Sequence, residues 1–297
     1  MSKRDPKRRP ARKASRPAVP PRRLPPPATV RFGEIIHVVD QQTGEPLCLE
    51  VISPFFYPTP QEREALRERL HHAFERLRER GHPAFPPYRD TLAGGDGILS
   101  LILSNLEGET LRTALERQGG PLARLQACAI ARSLLDALDA LHGLGMVHRL
   151  VSPGMLMLKP HGGLILLESG LADALLASLA TPTASISRTF FLNECRAPEE
   201  ASHRVHDPRT DLFSAGAVLY EMLSGQKPPP ARPSLRAGET EKGAGGPRIG
   251  LAAPALAGSK LESVVARALS PAPDDRFPTA RAFLEALVEA EADVAAP

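Results

Sequence analysis

The sequence has 297 residues, 42% of them apolar and 24% charged, with 37 Lys and Arg against 34 Asp and Glu for a formal +3. That apolar share supports a sizeable core in one large or two lobed domains, and it excludes fibrous, collagenous and fully disordered classes. No apolar run approaches the roughly 18 to 20 residues of a bilayer span, and Cys48, Cys128 and Cys195 lack any disulfide or metal spacing, so a reduced, cytoplasmic, non-transmembrane chain is expected.

Residues 1–28 come first and stand apart. They hold ten Lys or Arg and a single acid, Asp5, for a formal +9, which leaves −6 on residues 29–297. Eight prolines and few large apolar residues give this segment too little to bury against its ordering entropy. A disordered tail with polyproline stretches is expected. Basic tails bind nucleic acid, anionic lipid or acidic protein surfaces, and the absence of any aromatic residue here weighs against base stacking.

Residues 33–38 and 47–52 are β-rich runs joined by Asp40-Gln-Gln-Thr-Gly44, which predicts a hairpin. Over 61–80, Leu66, Leu70, Phe74 and Leu77 recur at helical spacing among alternating charges, so a helix with one apolar stripe is predicted. A strand follows over 98–103, then a short helix opened by Gly108-Glu-Thr-Leu111 and closed by Gly119-Gly120, then a long buried helix within 122–144. Residues 148–158 and 164–167 read as a loop and a short buried hairpin, and 211–224 as a second buried helix ended by Gly225. Residues 228–258, rich in Pro, Gly and Ala, read as an irregular insert, and amphipathic helices over 260–269 and 279–290 close the chain. Strands early and helices late predict an α+β protein of two lobes.

The order of landmarks resembles the bacterial serine/threonine protein kinase family. Residues 141–158, LHGLGMVHRLVSPGMLML, resemble its catalytic loop, and 164–172, LILLESGLA, the strand that carries Asp-Phe-Gly. Ala197-Pro198-Glu199 matches Ala-Pro-Glu, residues 210–216 the start of the central helix, and Asp275-Arg276-Phe277 the late arginine motif. The likeness runs from about Thr29 to Leu287 and implies a small β-rich N-lobe over 29–106 and a larger helical C-lobe over 107–291, with 292–297 as a tail. Within it, Glu199 and Arg276 are the buried ion pair that braces the helical lobe. Asp211 is the residue that bonds the loop backbone near His148 and Arg149, and Gly170 keeps the turn after the strand.

The chemical positions differ. Phosphoryl transfer in this family uses a lysine on the phosphates, an Asn and an Asp on magnesium, and an Asp that receives the hydroxyl proton. Glu50, in Leu47-Cys-Leu-Glu50, stands at the lysine, Leu150 at the catalytic Asp, Met155 at the Asn and Glu168 at the Asp of Asp-Phe-Gly. Glu50 repels a triphosphate: two like charges about 4 Å apart cost roughly 1 kcal/mol in water and about 4 kcal/mol at an effective dielectric of 20. Leu150 cannot take a proton, and the Met155 thioether is a poor partner for a hard cation. Only Gly33 remains of the glycine-rich loop, after a Pro25-Pro26-Pro27 lead-in that disfavours a full first strand. Ala73 falls at the usual helix glutamate and Leu192 at the substrate-binding threonine.

The bland alternatives are specific. His148 reads as a core histidine satisfied by backbone. Glu50 either forms a reversed ion pair with Arg69 or Arg76 or points to water, and 171–196 reads as a mobile polar loop whose Ser and Thr another kinase could phosphorylate. His71 and His72 point apart on a helix, which argues against a metal site. The leading expectation is a pseudokinase that binds a protein partner, such as an active kinase or a regulator, in signalling. A weakly active serine/threonine kinase or other ATP-dependent transferase stays open, as does a nucleic-acid or membrane tether through residues 1–28. No metal is expected, while metal-free ATP binding stays open in an apolar adenine slot lined by Cys48, Leu103 and Met157.

Overall fold

A computed structural model describes residues 22–23, 33–57, 59–94, 97–178, 194–202, 207–228 and 257–292. The N-lobe sheet has β1 (Arg22–Arg23), β2 (Gly33–Val39), β3 (Pro46–Ile52), β4 (Tyr88–Ala93) and β5 (Leu99–Ser104), in the order β1-β2-β3-β5-β4 and antiparallel throughout. The β2–β3 turn forms because the Asp40 carboxylate accepts from the Gln42 and Thr43 amides at 2.7 and 3.1 Å, and Gly44 takes φ +72°. Cys48, Glu50 and Ile52 of β3 share a face with Leu99, Leu101 and Leu103 of β5, and all six are buried.

Against this sheet lies α1 (Pro60–Arg80). Thr59 and Glu62 form a reciprocal capping box, Pro60 occupies the first turn, and Gly81 ends the helix at φ +64°. Its buried residues are Leu66, Leu70, Phe74 and Leu77, the stripe predicted from spacing.

The C-lobe opens with β6 (Glu109–Thr110), α2 (Leu111–Gln118) and α3 (Arg124–His142), followed by β7 (Leu156–Leu158), β8 (Leu164–Leu166) and α4 (Leu171–Ser178). Strands β6, β7 and β8 make a second small sheet. Then come α5 (Arg209–Ser224), α6 (Lys260–Ala268) and α7 (Ala280–Ala292). Helix α5 is buried continuously from Thr210 to Ser224, as expected of an element packed on all sides; α3 and α6 pack against it, and α7 packs on α3 and α6. The two-lobed kinase-like α+β fold is therefore present.

Three expectations need correction. Within the tail expected to be disordered, Arg22–Arg23 pair with His37 and Ile36 of β2, so backbone hydrogen bonding holds part of the segment to the sheet; the rest of residues 1–28 lies outside the described residues. Strand β4 was not anticipated, because a bulge between Tyr88 and Asp90 breaks the alternation. The loop expected over 171–196 begins as α4, whose Leu and Ala content favours helix. Residues 179–193, with Thr181, Thr183, Ser185, Ser187, Thr189 and Leu192, lie outside the described residues, as do residues 229–256 of the expected insert and both His203 and His206.

Candidate functional site

The candidate site is built from the inner face of β3 and β5 and from the segment 146–170. Glu50 sits opposite Ile35 in β2 and Leu101 in β5 and is only 4% exposed, so it does not point to water. It also pairs with neither proposed arginine: Arg76 donates to the Leu144 carbonyl, and Arg69 is exposed. A Cβ built on Gly170 would lie 3.4 Å from the Ala73 Cβ and 3.5 Å from Leu77 Cδ1. That side of α1 therefore carries a methyl group against the Glu168-Ser169-Gly170 turn, with no carboxylate available there for a lysine.

His148 is fully buried, and burial pushes its pKa below the usual imidazole range. Its Nε2–H donates to the Leu167 carbonyl at 2.9 Å, while Nδ1 accepts from the Leu150 amide at 3.3 Å. It is a neutral core histidine. Arg149 adopts φ +65°, a costly conformation for a residue with a Cβ. Asp211 holds it there, accepting from the Arg149 amide at 2.7 Å, the His148 amide at 2.8 Å and His142 Nε2 at 2.8 Å. Burial alone would raise the Asp211 pKa, but these bonds and the His142 charge hold it below the usual carboxylate range.

Immediately after this braced turn, Leu150 is 4% exposed and Met155 2% exposed, both within the main apolar core. The family places an ionised Asp and an amide at these positions. Glu168 is buried, with φ +58°. Ser169 Oγ donates to the Leu166 carbonyl at 2.7 Å, and Gly170 takes φ +81°. Met155 and Leu150 offer no oxygen ligand, and Glu50 brings negative charge where phosphate charge would lie, so these residues do not fit a magnesium-bound triphosphate. The adenine-slot residues Cys48, Leu103 and Met157 are 0%, 1% and 6% exposed. The Cys48 thiol lies 3.4 Å from His37 Nδ1, and burial pushes its pKa up while the Leu106 amide partly pulls it back.

The bracing pair forms as the resemblance implies. Arg276 donates to both Glu199 oxygens at 2.5 and 2.7 Å and to the carbonyls of Ser270, Arg209 and Pro271. Its guanidinium also lies 4.9 Å from the Phe213 ring centroid.

Sequence reasoning missed four features. His142 bonds Asp211, a link between two helices that no spacing announces. Asp173 on α4 accepts from Arg149 Nε at 3.1 Å and the Val147 amide at 2.9 Å. Arg112 on α2 forms a buried pair with Glu221 on α5. Tyr88 stacks on Phe74 with ring centroids 3.7 Å apart and turns its hydroxyl into the interior. Its aromatic character on an otherwise polar edge strand was the one available signal.

Comparison with known proteins places these observations. A sequence model described as "Protein kinase domain" matches residues 31–285. The chain is 35% identical over 131 residues to "Probable serine/threonine-protein kinase PknB" of Bifidobacterium longum, covering 43% of this chain and 18% of that protein. It is 29% identical over 202 residues to "Serine/threonine-protein kinase PknA" of Mycobacterium tuberculosis, covering 68% of this chain and 46% of that protein. The chain thus spans less than half the length of either curated relative. Among solved structures, a point mutant of the Mycobacterium tuberculosis PknI kinase domain matches with a TM-score of 0.67 at 23% identity, over 94% of this chain and 100% of that chain, a likeness of fold.

Proposed function

The chain belongs to the protein kinase domain family, and we propose that it is a catalytically impaired member, a pseudokinase that works by binding a protein partner in signalling. The observation that carries this reading is the burial of Leu150 and Met155 in apolar core at the positions of the catalytic Asp and the metal-binding Asn. A general base contributes about 10²- to 10⁴-fold in rate, and among the described residues the carboxylates bonded to the loop are committed elsewhere, Asp211 to backbone amides and Asp173 to Arg149 and the Val147 amide. Glu50 in place of the phosphate lysine adds repulsion. The retained braces at Glu199, Arg276 and Asp211 support a rigid scaffold whose surface is available for recognition.

A second reading, a weak serine/threonine kinase or other ATP-dependent transferase, is favoured by Glu168, which keeps a carboxylate at a metal position on a left-handed backbone. Incubation of the full chain with radiolabelled ATP and either magnesium or manganese separates the two. The pseudokinase reading expects no self-labelling or labelling of a generic acceptor protein above background. Labelling that Glu168→Ala abolishes would overturn it.

A further inference from the structure

The face of the C-lobe made by α3 and α7 takes no part in the cleft or in the braces. The two helices pack side by side, and an open groove of about 640 Å³ lies between them. In α7, Phe283, Leu287 and Ala290 turn into the core; a helix whose other side met only water would keep its apolar residues to that stripe. Instead Leu284 and Val288 line the groove, Leu284 half-buried and Val288 45% exposed. Positions 281, 284, 288 and 291 follow the alternating three- and four-residue steps of a coiled-coil seam. Leu125, at 73% exposure, opens the outward row of α3 that continues through Ala129 to Arg132 and Asp136. Among the described residues, two of the three exposed large apolar side chains, Leu125 and Val288, therefore belong to these two helices.

The groove carries both signs of charge, Arg132 and Arg281 against Asp136, Glu285 and Glu289. Arg132 pairs with Glu291 at 3.0 Å, Arg281 with Glu285 at 2.9 Å, and Asp136 lies 3.0 Å from His82 Nε2. Glu289 is exposed and has no ion pair among the described residues. A rim of one sign would call for a partner of the other. A mixed rim, with a base at one end of the seam and acids at the other, complements its own copy turned end for end.

We propose that this face is a two-fold interface between two copies of the chain, with α7 packed antiparallel on α7 of the second copy. The two-fold that sets Leu284 opposite Val288 of the second copy passes through position 286. That same axis sets Arg281 opposite Glu291 and within about two residues, or roughly 3 Å of rise, of Glu289. Apolar side chains meet at the centre and opposite charges at both ends, each contact occurring twice. Arg132 already holds Glu291, whose side chain is 13% exposed, so Glu289 is the acid that receives Arg281. Helix α7 is 13 residues long, about 20 Å, which puts the contact at the small end of stable interfaces and its dissociation constant in the micromolar range. Self-association of this kind holds whether or not the cleft transfers phosphate.

Sedimentation velocity on the full chain, from about 1 to 200 µM in about 0.15 M salt, is expected to show a monomer–dimer equilibrium. Arg281→Glu sets acid against acid and Glu289→Arg base against base, so each should weaken the dimer at least about tenfold. An equimolar mixture of these two variants restores both contacts and should dimerise about as tightly as the parent, which a loss of folding would not give. Val288→Asp, at an exposed position, should leave the circular dichroism spectrum unchanged and also weaken the dimer at least about tenfold. The proposal is overturned by a chain that stays monomeric at about 200 µM, by a dimer that Arg281→Glu and Val288→Asp move less than about threefold, or by reversed variants that stay monomeric when mixed.

Discussion

Replacing Arg276 by Met isolates the energetics of the helical lobe. The Arg276 side chain is fully buried, and the Glu199 side chain is 16% exposed. The substitution keeps an extended apolar stem but deletes every donor that meets the Glu199 carboxylate and the carbonyls of Ser270, Arg209 and Pro271. Removing one partner of a buried ion pair costs about 3–5 kcal/mol, and each orphaned carbonyl adds about 1 kcal/mol unless water reaches it. The residual exposure of Glu199 lets its charge recover some hydration, so about 4 kcal/mol is expected, a large fraction of the roughly 5–15 kcal/mol that holds a domain folded. Urea unfolding followed by circular dichroism should give a lower midpoint with an unchanged slope. The double variant Arg276→Met with Glu199→Leu should recover part of the loss, because the stranded charge is gone. A loss below about 1 kcal/mol for Arg276→Met, or a double variant equal to the sum of the single ones, would refute the reasoning.

Other perturbations test other parts of the structure. A Cβ on Gly216 would meet the Ala268 Cβ at 2.7 Å where α5 and α6 cross, so Gly216→Ala should destabilise by about 1–3 kcal/mol despite the better helix propensity of Ala; a rise in Tm would contradict that close approach. Burial, with Asp211 adding, pushes the Glu200 carboxyl up to about 8 against an ordinary 4.5. Between those pH values the folded chain holds a proton that the unfolded chain has released, so stability falls as pH rises through this window, by at most about 5 kcal/mol. Glu200→Gln should remove that dependence, and identical stability profiles for variant and parent between pH 5 and 9 would exclude it. Asp173→Asn weakens the carboxylate bonds to Arg149 Nε and the Val147 amide; amide exchange across 171–178 should speed up, with about 1–2 kcal/mol of stability lost, and unchanged exchange would remove Asp173 as the anchor of α4.

The fold was legible where period and punctuation agree. The Leu66, Leu70, Phe74 and Leu77 stripe located α1 almost to the residue, and Asp40 with Gly44 marked the first hairpin. Edges were less legible. Strand β4 hides behind a bulge, so it carries no full alternation. In the site, the identity of each altered position was readable from motif order, but burial was not. Glu50 looked free to reach solvent or Arg76, and only the packing of β3 against β5 with α1 across the sheet decides otherwise. His142, Asp173 and Tyr88 act through contacts spanning 69, 26 and 14 residues of sequence respectively, in pairings to Asp211, Val147 and Phe74, and a local pattern carries no information on such pairings.

The separation of scaffold from chemistry has an energetic basis in one short stretch. Asp211 bonds the backbone at His148 and Arg149, so it fixes the loop whatever side chain follows at position 150. An ionised Asp at a position 4% exposed has to be held against its desolvation by a metal or a substrate hydroxyl, whereas Leu150 gains roughly 1.5–3 kcal/mol from the same burial. Met155, at 2% exposure, makes the same exchange of a polar ligand for apolar contact. The residues at the positions of the catalytic Asp and the metal-binding Asn therefore contribute to the lobe's core, which relieves the usual opposition between a strained polar site and stability.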